Sequence, residues 1–114
     1  MNTGDDTQGN RLDKVANFIK EECALFLAKE NNHASLISIT RVSVSPDLKR
    51  ATVFVTVLPD SKEELAINFI KRHLGDFRQS LKGRMTTKNV PFLEVALDLG
   101  EKNRQKIDEL LRNG

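Results

Sequence analysis

The sequence predicts an α+β two-layer sandwich with a three-stranded sheet. Three observations predict it. Val42 to Val57 reads as two β-rich runs on either side of Pro46-Asp47. Phe92 to Leu99 alternates strictly, with Phe92, Glu94, Ala96 and Asp98 on one parity and Leu93, Val95, Leu97 and Leu99 on the other. Apolar stripes of helical period precede, separate and follow these runs. An antiparallel hairpin plus a third strand, covered by helices, gives that architecture.

In chain order, residues 1–9 are polar and aperiodic and are expected to form a flexible N-terminal tail, with residues 10–114 making a single domain. A helix is expected from about Asn10 to Asn31. Leu12, Val15, Ile19 and Phe26 recur at near-helical spacing, with Ala16, Cys23 and Leu27 beside them. A first strand is expected from about Leu36 to Ser45. Leu36, Val42 and Val44 share one parity and Ile37 and Ile39 the other, so either both faces are partly buried or a bulge shifts the phase. Proline presets the turn and Asp47 can accept from nearby backbone donors. The second strand, Arg50 to Leu58, then places Ala51, Val53, Val55 and Val57 on one face.

After Pro59, the pairs Asp60/Glu63 and Ser61/Glu64 read as capping boxes of a helix. Its inward stripe is Ala66, Ile70 and Leu74, with Leu65 and Phe69 beside it. Gly75 interrupts, and Asp76 is expected to cap a new helix running to about Met85 and burying Phe77, Leu81 and Met85. Two helices meeting at a glycine without a loop imply a kink. Pro91 opens the third strand, Phe92 to Leu99. Glu101 to Asn113 reads as a terminal helix with Ile107, Leu110 and Leu111 on one side.

A chain of 114 residues supports a real hydrophobic core. Cys23, the one cysteine, lies in a helical pattern and reads as a buried thiol, so no intramolecular disulfide forms. No apolar signal region opens the chain and no run approaches the ~18 apolar residues of a membrane helix, so the expectation is a cytoplasmic, soluble protein with no membrane partner. The net charge of +2 conceals an uneven distribution. Lys71, Arg72, Arg78, Lys82, Arg84 and Lys88 face a single acid, Asp76, giving that segment +5; the remainder, with 12 basic and 15 acidic residues, carries −3. Such clustering is the electrostatic signature of a polyanion partner.

Arg78 and Lys82 lie four apart and hence on one helix face, with Lys71 and Arg72 just before Gly75. At the glycine a phosphate backbone can approach helix donors unobstructed, although Asp76 repels an anion there. Lys49, Arg50 and Arg41 extend the basic set or serve as charged residues that discourage strand pairing. The bland alternative for the whole segment is a solvated helix face. His73 reads as a helix-end or surface residue and His33 as a loop residue. No nucleotide-binding loop, metal-ligand cluster or Cys/His pair of recognisable spacing is present, so no enzymatic activity, no cofactor and no metal is expected.

The hairpin of Val42 to Val55, the segment His73-Leu74-Gly75-Asp76-Phe77-Arg78, the stretch from Leu81 to Pro91 and the ending Lys106-Ile107-Asp108-Glu109-Leu110-Leu111 resemble the ribosome-binding factor A family. The resemblance covers about residues 10–112. It implies a type II KH-like RNA-binding domain in which an Ala-x-Gly kink replaces the Gly-x-x-Gly loop. Here the kink residues are His73, Leu74 and Gly75, with histidine in the alanine position. The resemblance implies a monomeric assembly factor that binds the free small ribosomal subunit and its 16S-type rRNA late in maturation. It further implies a role in processing the rRNA 5′ end and in cold adaptation, with ribosomal proteins and an assembly GTPase as further partners. The RNA-binding residues would be Lys71, Arg72, Gly75, Arg78, Lys82, Arg84, Lys88, Lys49 and Arg50. Rival readings are a protein–protein adaptor docking through Leu110-Leu111, and a small hydrolase.

Overall fold

The computed structural model describes residues 3–30, 36–85 and 90–113. The order is α1 (Thr3–Glu30), β1 (Leu36–Val44), β2 (Arg50–Leu58), a 3₁₀ turn (Asp60–Lys62), α2 (Glu63–Lys82), β3 (Phe92–Leu97) and α3 (Leu99–Asn113). The expected α+β architecture is what the chain forms. The sheet runs β1-β2-β3, antiparallel between β1 and β2 and parallel between β2 and β3. α1 packs on β1 and α2 on β3.

α1 starts at Thr3, so helix occupies residues 3–9, where a tail was expected. Once a helix is nucleated each added residue gains a hydrogen bond, and a polar stretch with no inward stripe leaves no periodic trace of it. Further along, Val15, Ile19, Cys23 and Leu27 recur every four residues and are all buried. The environment of Cys23 is apolar, and burial pushes its thiol pKa up to about 12.

The phase change in β1 is a bulge. Ile39 pairs with Val55 and Arg41 with Phe54, leaving Thr40 as the extra residue. The bulge keeps Ile37, Ile39, Val42 and Val44 against the core although their parity differs. The turn forms as the sequence requires. Leu48 N–H donates to the Ser45 carbonyl at 2.8 Å, and Asp47 accepts from the Ser45 hydroxyl at 2.6 Å and the Lys49 N–H at 3.0 Å. Those two bonds hold the Asp47 carboxyl below the usual carboxylate range, the hydroxyl contributing most.

Neither capping box forms, for no side chain caps the 3₁₀ turn or α2. Asp60 and Glu63 instead face Lys102 Nζ of α3, at 4.0 and 2.7 Å. A charged partner outcompetes the local backbone donors for these carboxylates. The two helices expected around Gly75 are one. Gly75 lies inside α2 and Asp76 is an exposed interior residue rather than a cap. Interior glycine costs about 1 kcal/mol relative to alanine. That cost is outweighed because Ala66 and Ile70 before it, and Phe77 and Leu81 after it, bury into the same core. Leu65, expected beside the inward stripe, is exposed. α2 ends at Lys82, with Met85 beyond it and half-buried against the core.

β3 ends at Leu97, two residues early, and the alternation reverses there. Asp98 is buried and Leu99 exposed. Asp98 opens α3, accepting the Glu101 N–H at 3.0 Å. Among the described residues, the ties of α3 to the rest of the domain lie at its start, through Asp98 and Lys102. Ile107, Leu110 and Leu111, expected to share one side of the helix, are 55%, 71% and 74% exposed.

Candidate nucleic-acid interface

Lys71, Gly75, Arg78 and Lys82 stand at intervals of four, three and four, so they form one stripe along α2. Arg72 stands one row away. Lys71, Arg72 and Lys82 are exposed, and none pairs with a carboxylate among the described residues. Among the described residues of the segment, these three are the cations best placed to meet a polyanion.

The remaining basic residues divide by what they touch. Arg78 is half-buried, and its Nε and Nη2 donate to the carbonyls of Pro91 and Val90 at 3.1 and 2.9 Å. It ties the approach to β3 onto α2, so much of its donor capacity is structural. Arg84 pairs with Glu22 and links the end of α2 to α1. Arg50 lies 4.0 Å from Glu94 across the β2–β3 pair. Lys49 is exposed beside the hairpin turn, and its carbonyl accepts the Phe92 N–H at 2.8 Å. Arg41 stacks over Phe54, 3.8 Å from the ring centre, and reaches Asp98 at 3.5 Å. Lys88 and His33 lie outside the described residues.

The three kink residues point to different places. His73 sits between helices, its ring centre 4.6 Å from Phe69 and 6.2 Å from Phe26, where it helps pack α2 on α1. Leu74 and Gly75 line a groove. A Cβ built at Gly75 meets nothing within 4 Å. The glycine is therefore not required by crowding inside the protein. It leaves the helix backbone bare toward the groove.

That groove, about 530 Å³, lies between Lys71, Leu74, Gly75 and Arg78 of α2 and residues 92–95 of β3. Successive β3 residues point to opposite faces, so a groove touching four in a row runs along the strand's edge rather than over one face. Sequence reasoning found the basic stripe but missed this groove, because the edge position of β3 follows from its parallel pairing. The available signal was a third strand separated from the hairpin by a helix, which is the pattern of a crossover connection. The groove is lined by two cations, Lys71 and Arg78, against one carboxylate, Glu94, which itself faces Arg50 at 4.0 Å, while Asp76 stands exposed on the next helix row.

A family model described as ribosome-binding factor A matches residues 11–111. The ribosome-binding factor A of Thermomicrobium roseum is 30% identical over 105 residues, spanning 90% of this chain and 81% of that protein. That of Coxiella burnetii is 33% identical over 103 residues, spanning 89% and 87%. The crystal structure of ribosome-binding factor A from Thermus thermophilus superposes with a TM-score of 0.67 at 20% identity, covering 75% of this chain and 94% of that one. A Thermotoga maritima solution structure gives 0.62, also at 20% identity, covering 73% and 82%. The solved structures share the fold, and the sequence matches run from α1 into α3. On that footing the chain belongs to the ribosome-binding factor A family.

Proposed function

We propose that this chain binds the free small ribosomal subunit through its 16S-type rRNA, with the α2 stripe laid along the phosphate backbone. The observation that carries the reading is the set Lys71, Arg72 and Lys82, exposed and without carboxylate partners among the described residues, on one helix beside the bare backbone of Gly75. Three cations on a rigid helix neutralise phosphates without an entropic cost of loop ordering. Recognition is then chiefly by RNA shape; with neither Trp nor Tyr in the chain, base stacking is left to exposed phenylalanine such as Phe92. Arg78 and Arg84 support the stripe by fixing α2 to β3 and α1.

In this reading the protein acts as a monomer in the cytoplasm and performs no chemistry. It holds a late intermediate of the subunit, assists maturation of the rRNA 5′ end and matters most in the cold. Ribosomal proteins and an assembly GTPase are its neighbours there. The test is co-sedimentation with free small subunits and with intact ribosomes at several salt concentrations, using wild type and a Lys71→Glu/Lys82→Glu variant. Arg78 is left intact because its loss would loosen β3. Binding to free subunits should fall with salt with a logarithmic slope of about −2 to −3, as roughly three phosphate contacts require. The variant should lose it. Retention of binding by the variant would return the stripe to an ordinary solvated surface.

One observation favours the adaptor reading, the exposed Ile107, Leu110 and Leu111 on α3. An apolar helix face of this kind suits a protein partner.

A further inference from the structure

α3 is held at its root and turns its apolar stripe away from its own domain. Asp98, the residue before it, accepts from Thr40 and faces Arg41 at 3.5 Å. Lys102, one turn on, reaches Glu63 at 2.7 Å and Asp60 at 4.0 Å. These two side chains mark the side of the helix that looks toward the domain. At about 100° per residue, Leu99, Leu110, Asn103, Ile107 and Leu111 fall between roughly 60° and 180° around the axis from Lys102. The four aliphatic members of that set are exposed, and none belongs to the hydrophobic core. An apolar face that its own domain leaves uncovered marks an interaction surface.

The borders of the stripe say what fits it. Lys106 stands at about 40° and Arg104 at about 200°, so a cation flanks the apolar face on each side. Both are exposed. Among the described residues Lys106 pairs with no carboxylate, and Arg104 pairs with Glu101 of its own helix. A second copy of α3 is disfavoured. Two such helices packed stripe to stripe bring border against border in either direction, and both borders are basic. A bilayer surface is disfavoured, because Glu101 and Asp108 stand just beyond the Arg104 border and no aromatic anchor lies on the helix. RNA is disfavoured on the stripe itself, because aliphatic side chains offer a base neither a stacking plane nor a hydrogen bond. A protein groove with an apolar floor and carboxylates along both rims satisfies every part of this surface.

We propose that α3 docks as a helix into such a groove on a protein of the small subunit, with Ile107, Leu110 and Leu111 as anchors and Lys106 and Arg104 on the acidic rims. The anchors have the i, i+3, i+4 spacing of helix-in-groove recognition. The inference rests on the small-subunit reading above and adds a polypeptide contact on an element the α2 stripe does not use. Four aliphatic side chains fall short of the roughly 800 Å² per partner of a standard interface. The α3 contact therefore works together with the RNA contact, each raising the effective concentration of the other.

The test places benzoylphenylalanine at Leu111 of the full chain, irradiates it with purified free small subunits and identifies the attached molecule by mass spectrometry. The expected result is a cross-link to one ribosomal protein, at an apolar segment flanked by Asp or Glu, that excess unmodified chain competes away. Ile107→Ser/Leu110→Ser should weaken co-sedimentation at least about tenfold and leave the logarithmic salt slope unchanged, because no phosphate contact is removed. Thermal unfolding checks that this variant folds; should it not, the cross-link alone decides. A cross-link to rRNA, or to nothing while the chain still binds the subunit, would overturn this inference and leave the RNA reading standing. Absence of subunit binding by the unmodified chain would overturn both. Self-association that Leu110→Ser abolishes would assign the stripe to a second copy, and adsorption to phosphatidylglycerol vesicles would assign it to a membrane; either overturns the proposal.

Discussion

Thr40, the extra residue of the β1 bulge, donates its hydroxyl hydrogen to Asp98, the residue that opens α3, at 2.5 Å across 58 positions of sequence. The same carboxylate accepts the Glu101 N–H and lies 3.5 Å from Arg41. The bulge thus aims one side chain at the root of the terminal helix. Thr40→Val keeps the shape and removes the donor. The expected outcome is a Tm lowered by several degrees and faster amide exchange confined to the first turns of α3, with the β1–β2 pairing intact.

The acid limb of stability should report the same carboxylate. The Thr40 hydroxyl, then the Glu101 N–H, hold the Asp98 carboxyl below the usual range. The unfolded chain therefore binds this proton more readily than the folded one. Asp98 contributes fully above the ordinary carboxylate pKa of about 4, and the contribution declines as pH falls through the folded value. The stability difference between wild type and Asp98→Asn, followed by urea unfolding, should be flat above about pH 5 and shrink below about pH 4.

Gly75→Ala should stabilise the protein by about 0.5–1 kcal/mol, because the residue is helical and its new methyl meets only open space. Denaturant unfolding measures this directly. A loss of stability would mean that the groove is closed in solution.

Cys23 should resist a soluble thiol reagent at pH 8. Its thiol is buried and its pKa is pushed up to about 12, so almost no thiolate exists and none is accessible. Labelling should rise only as denaturant unfolds the chain. Cys23→Ser, which buries a hydroxyl beside Ile19 and Leu27, should cost about 1–3 kcal/mol.

Leu110→Asp should change stability by less than about 0.5 kcal/mol, since the side chain is 71% exposed. If small-subunit binding falls while thermal unfolding is unchanged, α3 supplies a protein contact. If both are unchanged, the adaptor reading loses its support.

Elements whose partners are close in sequence were legible before any coordinates. The four-residue stripe of α1, the Ser45–Leu48 turn and the inward face of β2 follow from period and turn chemistry alone. What escaped depends on distant partners. Gly75 suggested a break, yet Ile70 and Phe77 on either side find the same core. Asp60 and Glu63 suggested caps, yet Lys102 takes their carboxylates. Arg78 suggested a nucleic-acid contact, and two of its five N–H donors go to backbone carbonyls before β3. The basic stripe was visible as charge density; which of its members stay uncommitted was decided by the fold.

The parallel pairing of β3 also sets an order of events during synthesis. The β1–β2 hairpin closes on itself through a short turn, whereas β3 can join only after α2 has crossed back over the sheet. Until then Val53 and Val55 sit on an unfinished strand whose open side offers a template to any passing β-segment. A nascent chain halted before Phe92 should therefore be the aggregation-prone form of this protein, and emergence of the last fifth of the sequence is what ends that exposure.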